Sequence, residues 1–183
     1  MSQSASFYSI ADKDFKIIQQ SEDSELDIAP YVTSYCTLDD SYMALEFTLV
    51  TNQTEDAIII LEEIFNPAAS FGGSDFSGID IDSIDPIAFE TMIMNDASVY
   101  YLSPETIDSI VVLLDQISTD DILSNYNATA LNENDIYPGK WHNDESAGLL
   151  YNGSHLQKSY NELKSFFQIA ADKKDYILTF LQG

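Results

Sequence analysis

Leu131 to Asp144 reads LNENDIYPGKWHND and constrains the fold more than any other stretch. A helical run ends there, Tyr137-Pro138-Gly139 forces a sharp reversal, and the single tryptophan, Trp141, follows directly. Proline presets φ at the first turn position and glycine accepts a positive φ at the next, so the triplet predicts a type II turn. A fixed turn beside a large aromatic ring marks a corner where chain segments converge on a core.

Charge is the second constraint. Thirty-one acids stand against seven lysines, arginine is absent, and the formal net charge is −24. Between Ile17 and Gly139 there is no lysine or arginine, yet 24 of the acids fall there. The lysines sit towards the two ends, at Lys13, Lys16, Lys140, Lys158, Lys164, Lys173 and Lys174. Nucleic-acid binding needs cations that displace phosphate counterions, so this balance excludes a nucleic-acid partner. Nucleotide cofactors are disfavoured too, for want of a Gly-rich phosphate loop or an arginine clamp, and no cofactor is expected. Apolar residues make up 45% of the chain, enough for a core despite the charge. A chain of 183 residues fits one domain, residues 1–183, burying roughly 70% of its unfolded surface. No apolar run approaches the roughly 20 residues of a membrane span, and the start MSQSASFYSIADKDF lacks a signal-peptide pattern. One cysteine, Cys36, excludes an internal disulfide. A cytoplasmic globular protein is expected.

Periodicity orders the elements. Alternation at Phe7-Tyr8-Ser9-Ile10 predicts a strand, and Asp12 is placed to cap a helix with Phe15, Ile18 and Gln19 inward. A second helix is predicted from Asp39 or Asp40 through Val50, its first acids matching the helix dipole. The apolar run Asp56–Phe65 fits a helix or a strand. Ser70–Pro86, rich in Gly and Asp, is the least regular part. Ser98–Leu102 predicts a strand, and Ser103-Pro104 opens a helix whose inner face is Ile107, Ile110, Val111, Leu114 and Ile117. Ser118 caps a short helix with Asp120 and Asp121 in its first turn. Leu156, Tyr160, Leu163, Phe167 and Ala170 define a long amphipathic helix, and Tyr176–Leu181 a final strand. The fold class expected is α+β: a small mixed sheet from the N-terminal, Val99 and Tyr176 strands, packed with several helices.

Asn132, Ile136, Tyr137, Pro138, Gly139 and Trp141 together resemble the Asn-x-x-x-Ile/Val-Tyr-Pro-Gly-x-Trp signature of the YfbM-like family of uncharacterised bacterial proteins. LDDSYMALEF, from Leu38, resembles that family's Leu-Asp-Lys-x-Trp-x-x-Leu-x-Phe segment, with Asp40 in the lysine place and Tyr42 in the tryptophan place. Tyr101-Leu102-Ser103-Pro104-Glu105 is close to its Tyr-Leu-Thr-Pro-Glu, and Gly72-Gly73 matches its glycine loop. The resemblance implies a fold and no established activity.

Candidate chemistry is sparse. His142 stands beside Trp141, Asp144 and Glu145, and carboxylates can tune an imidazole as a general base. No nucleophile has a recognisable context, so no catalytic residue is assigned. His142 and His155 with one cysteine cannot alone complete a zinc site, and Asp80-Ile81-Asp82-Ser83-Ile84-Asp85 departs from the EF-hand pattern at its third ligand, so no metal is expected. Cys36, without a neighbouring histidine, reads as a buried inert thiol.

Two functions fit. The first is an acidic protein-binding domain, an immunity protein that binds and neutralises a basic bacterial toxin, with Asp75, Asp80, Asp82 and Asp85 as contact acids. The second is a small enzyme or ligand-binding domain with a pocket at Tyr101, Tyr137, Trp141 and His142. The first is preferred, because a one-signed field speeds association with an oppositely charged protein.

Overall fold

The computed structural model describes residues 3–21, 27–73, 85, 98–144, 146 and 149–182. Among the described residues five strands form one sheet: β1 (Ser4–Ile10), β2 (Val32–Asp39), β3 (Ala69–Phe71), β4 (Val99–Leu102) and β5 (Tyr176–Gln182). Their order is β2-β1-β5-β4-β3. Every pairing is antiparallel, so the α+β expectation holds while the sheet is not mixed. The helices of the described residues are α1 (Asp12–Gln19), α2 (Tyr42–Val50), α3 (Glu55–Glu62), α4 (Pro104–Gln116), α5 (Thr119–Asn125), α6 (Ala128–Glu133) and α7 (Gly153–Lys173).

Period-two alternation gives the sheet two apolar faces. Ala5, Phe7, Cys36, Leu38, Leu102 and Ile177 point into the main core under α2 to α7. Phe7 is fully buried there, with ring centroids 5.9 Å from Phe65 and 6.1 Å from Phe167 in edge-on contact. On the opposite face Ile10 and Leu178 meet Phe15 and Ile18 of α1. Phe15 stacks on Tyr176 with ring centroids 3.9 Å apart. Two cores on one sheet explain how so acidic a chain buries enough surface to fold.

Local signals set the helix ends. Ser103 Oγ accepts from Thr106 N–H at 3.3 Å, and Ser118 with Asp121 forms a reciprocal capping box. The ambiguous run resolves as α3, because Thr54 Oγ1 caps it by accepting from Ala57 N–H. α7 ends where Lys174 adopts a left-handed φ of 56° and the Asp175 N–H reaches the Ala170 carbonyl. Buried Asp175 then accepts from Ser9 Oγ at 2.7 Å and Thr33 Oγ1 at 2.9 Å, tying this corner to β1 and β2.

Three expectations are corrected. β2 occupies Val32–Asp39, so the second helix starts at Tyr42; Asp40 takes a left-handed φ of 54° that breaks the chain between them. Asp12 is the first residue inside α1, and its N-cap is Ala11, which makes no side-chain cap bond. Gln19 is exposed, leaving Phe15 and Ile18 as the buried pair of α1.

Candidate functional site

Trp141 is the hub that its sequence position suggested, and it is a structural one. It is 3% exposed, and Nε1 donates to the carbonyls of Ile136 at 3.1 Å and Tyr137 at 3.2 Å. The Asn132 side chain clamps the Trp141 backbone, accepting from N–H at 2.9 Å and donating to C=O at 2.8 Å. The reversal between them carries a cis Tyr137–Pro138 bond, and the Gly139 N–H reaches the Ile136 carbonyl at 2.9 Å. Pro138 therefore sits at the third position of a type VI turn, which replaces the type II turn expected. Gly139 does take positive φ, 69°. The residues of the signature thus form one device: Asn132 holds the tryptophan backbone, and the turn carbonyls hold its ring.

Around this hub lies a polar rim. The Asp40 carboxylate accepts from Tyr151 Oη at 3.1 Å and from Gln3 N–H at 3.3 Å, and it also bonds Tyr137. Burial and then this carboxylate raise the pKa of both tyrosines, so each stays a protonated donor. Two of the segments that resemble the YfbM-like family therefore touch, through Asp40 and Tyr137. Lys140 Nζ lies 4.4 Å from the Tyr151 ring centroid. Tyr126 Oη donates to the His142 carbonyl at 2.8 Å.

Both histidines face backbone rather than one another. His142 Nε2 lies 3.0 Å from the Leu150 carbonyl and acts as its donor, while Nδ1 is buried without a partner among the described residues. His155 Nδ1 accepts from Tyr151 N–H at 3.1 Å. Burial, then Lys158, holds the His155 pKa below its ordinary 6.5. A group that is harder to protonate when folded weakens the fold as pH drops, because the unfolded chain takes the proton first. Unfolding free energy is therefore expected to fall from the ordinary imidazole value towards the depressed one. His155→Gln should show a shallower fall in that window when both proteins are melted at matched pH values. Equal slopes would remove His155 from the pH response.

The remaining expected site residues scatter. Tyr101 is not at the hub: it packs on the opposite face of the sheet against Phe15, Phe71 and Tyr176. The ligand pocket expected from Tyr101, Tyr137, Trp141 and His142 is therefore not one constellation. Asp75, Asp80 and Asp82 lie outside the described residues, and Asp85 is exposed. Asp144 is exposed and held below the ordinary carboxylate range, chiefly by its bond from the Ser146 hydroxyl. Burial pushes the Cys36 thiol up to about 12, so it stays protonated and inert.

An acidic face with an apolar centre appears elsewhere. On α3, Ile59 is 64% exposed among Glu55, Asp56 and Glu62, all exposed. Beside it a groove of about 290 Å³ separates α3 from α4, lined by Ile59, Ile60 and Glu63 on one wall and Glu105, Thr106 and Ser109 on the other. Glu105 is held below the ordinary carboxylate range, first by its own backbone N–H and then by Ser103, so its charge persists. Five of the seven lysines are meanwhile engaged within the chain. Lys16 pairs with Asp12, Lys158 with Glu162, Lys164 with Asp115 and Lys174 with Asp108, and Lys140 covers Tyr151. Helical spacing of acids around Ile59 was the signal for this face, hidden while the run could be strand or helix.

The chain is a one-domain α+β protein built on an antiparallel sheet. Residues 1–180 match the family described as a domain of unknown function (DUF1877), and the chain belongs to that family. It is similar in fold to the crystal structure of YfbM from Escherichia coli, a protein of unknown function, with a TM-score of 0.61 at 14% sequence identity. That match covers 98% of this chain and 99% of the other. No curated protein matches the chain.

Proposed function

We propose that this chain is a protein-binding domain with a basic partner, and that the partner is a toxin held inactive in the complex. The observation that carries the reading is Ile59, an exposed apolar side chain set among acids beside a groove whose described lining holds no lysine. A desolvated apolar anchor ringed by charge is how protein interfaces combine affinity with partner choice. The net charge of −24 adds long-range attraction for a cationic surface. The second reading, an enzyme or ligand-binding domain at the Trp141 hub, has weaker support: the indole N–H and the Asn132 amide are already consumed in holding the turn.

The test starts with the partner retained by the full chain at low salt and released at high salt. Purified, it should bind this chain more slowly as salt rises, and it should halt cell growth unless this chain is co-expressed. Ile59→Asp and the pair Glu63→Lys with Glu105→Lys should each weaken binding by about tenfold or more with an unchanged far-ultraviolet spectrum. The pair should melt somewhat lower, because it gives up the Glu63 bond from Ala68 N–H and the Glu105 bond from Ser103. A partner that is harmless alone removes the toxin reading. Binding untouched by the three substitutions removes this face from it.

A further inference from the structure

A groove of about 780 Å³ lies between β2 and α7, and the surface just described does not use it. Its floor is Ser34, Tyr35, Cys36 and Thr37, four consecutive strand residues. Side chains of a strand alternate between faces, so consecutive lining residues mean that the groove follows the backbone edge of β2. β2 is the outer strand of the sheet, paired only with β1 among the described residues. Alternate residues there direct N–H and C=O outward, a template for another strand.

Natural edges are guarded by lysine, proline or inward charge. From Val32 to Leu38, β2 has no charged residue and no proline; its one acid, Asp39, closes the strand, and its register with β1 is irregular only at the start, between Ser9 and Ile10. Tyr35, 72% exposed, has the greatest exposure of the large apolar side chains among the described residues, and Ile169 of α7, 46% exposed, lines the same groove. Ser34 Oγ is buried there without a partner among the described residues. The groove's helical wall has one cation and one anion, Lys158 and Glu162, both largely exposed and only loosely paired at 3.8 Å. That balance is unusual for a chain of net charge −24.

We propose that this groove is a self-association surface. Two copies join β2 to β2 antiparallel about a two-fold axis, extending the sheet across the dimer. Charge selects the occupant. A neutral edge offers no special attraction to a cationic segment, and it is where two strongly acidic copies can approach with least repulsion. A stripe holding one lysine and one glutamate is self-complementary under a two-fold: Lys158 of each copy meets Glu162 of the other, as isologous interfaces require.

Sedimentation equilibrium of the full chain at low salt and at about 1 M salt, where charge is screened beyond about 3 Å, tests this. A mass of twice 20.4 kDa is expected, with the dimer favoured by high salt because the copies repel. Salt acts oppositely on a basic partner, so the two proposals fail separately. Tyr35→Lys should raise the dimer dissociation constant by about tenfold or more, with the same melting curve as the parent when both are dilute enough to be single chains, since the side chain is exposed. Lys158→Glu alone should weaken the dimer, and adding Glu162→Lys should restore it. A single-chain mass at every salt and concentration overturns the proposal. So does a dimer indifferent to Tyr35→Lys, or a double exchange that fails to recover association.

Discussion

Phe7→Ala is expected to lower the unfolding free energy by about 3–5 kcal/mol, the range for truncating a fully buried aromatic ring. Phe7 is 0% exposed and touches Phe65 of the segment after α3 and Phe166 and Phe167 of α7. Removing it opens a void between the sheet and its helical layer, where rigid rings from three directions cannot all close in. Urea denaturation followed by circular dichroism measures the loss. A cost below about 1 kcal/mol would mean that the helices settle onto the sheet without this ring, and that the main core is looser than described.

Trp141→Ala is expected to cost a similar amount, about 3–5 kcal/mol, for a different reason. The indole fills the corner beside Tyr126, Tyr151 and His155, and its N–H satisfies the Ile136 and Tyr137 carbonyls. Asn132→Ala provides the companion measurement. It leaves the ring in place but strips partners from the Trp141 N–H and C=O, for about 1–3 kcal/mol. If Asn132→Ala matched Trp141→Ala, the clamp would dominate and the ring would be filler. If it cost nothing, the Trp141 backbone would find other partners.

These two sites differ in how readable they were. The Trp141 corner was legible because turn chemistry, a lone tryptophan and a family signature all lie within fourteen residues. The same holds for Ser103-Pro104 and Ser118, whose caps act three residues away. β2 was missed although Val32–Asp39 alternates cleanly, because its outward residues are Thr, Tyr and Thr rather than charges, and the acids at Asp39 and Asp40 read as a helix start. The left-handed φ at Asp40 divides strand from helix, and no local pattern announces it. Tyr101 was grouped with Trp141 by its place in a matching segment, but strand alternation decides which face it takes, and that depends on partners far away in sequence. The acidic face on α3 was hidden for the reason that period alone cannot separate a short apolar helix from a strand. The Asp75, Asp80 and Asp82 group lies outside the described residues, so α3 and α4 are where the charge reading now stands.

The order β2-β1-β5-β4-β3 has a consequence for how the sheet closes. β1 and β2 come first in the chain and pair antiparallel, and β3 with β4 follow, yet neither pair is hydrogen-bonded to the other. Tyr176–Gln182 is the seam between them, hydrogen-bonded to β1 on one side and β4 on the other. Without that segment the other four described strands can form only two half-sheets, each with its inner edge open. Closure of the sheet over Phe7 therefore depends on the strand that comes last in chain order among those described, a long-range pairing that local contacts cannot replace.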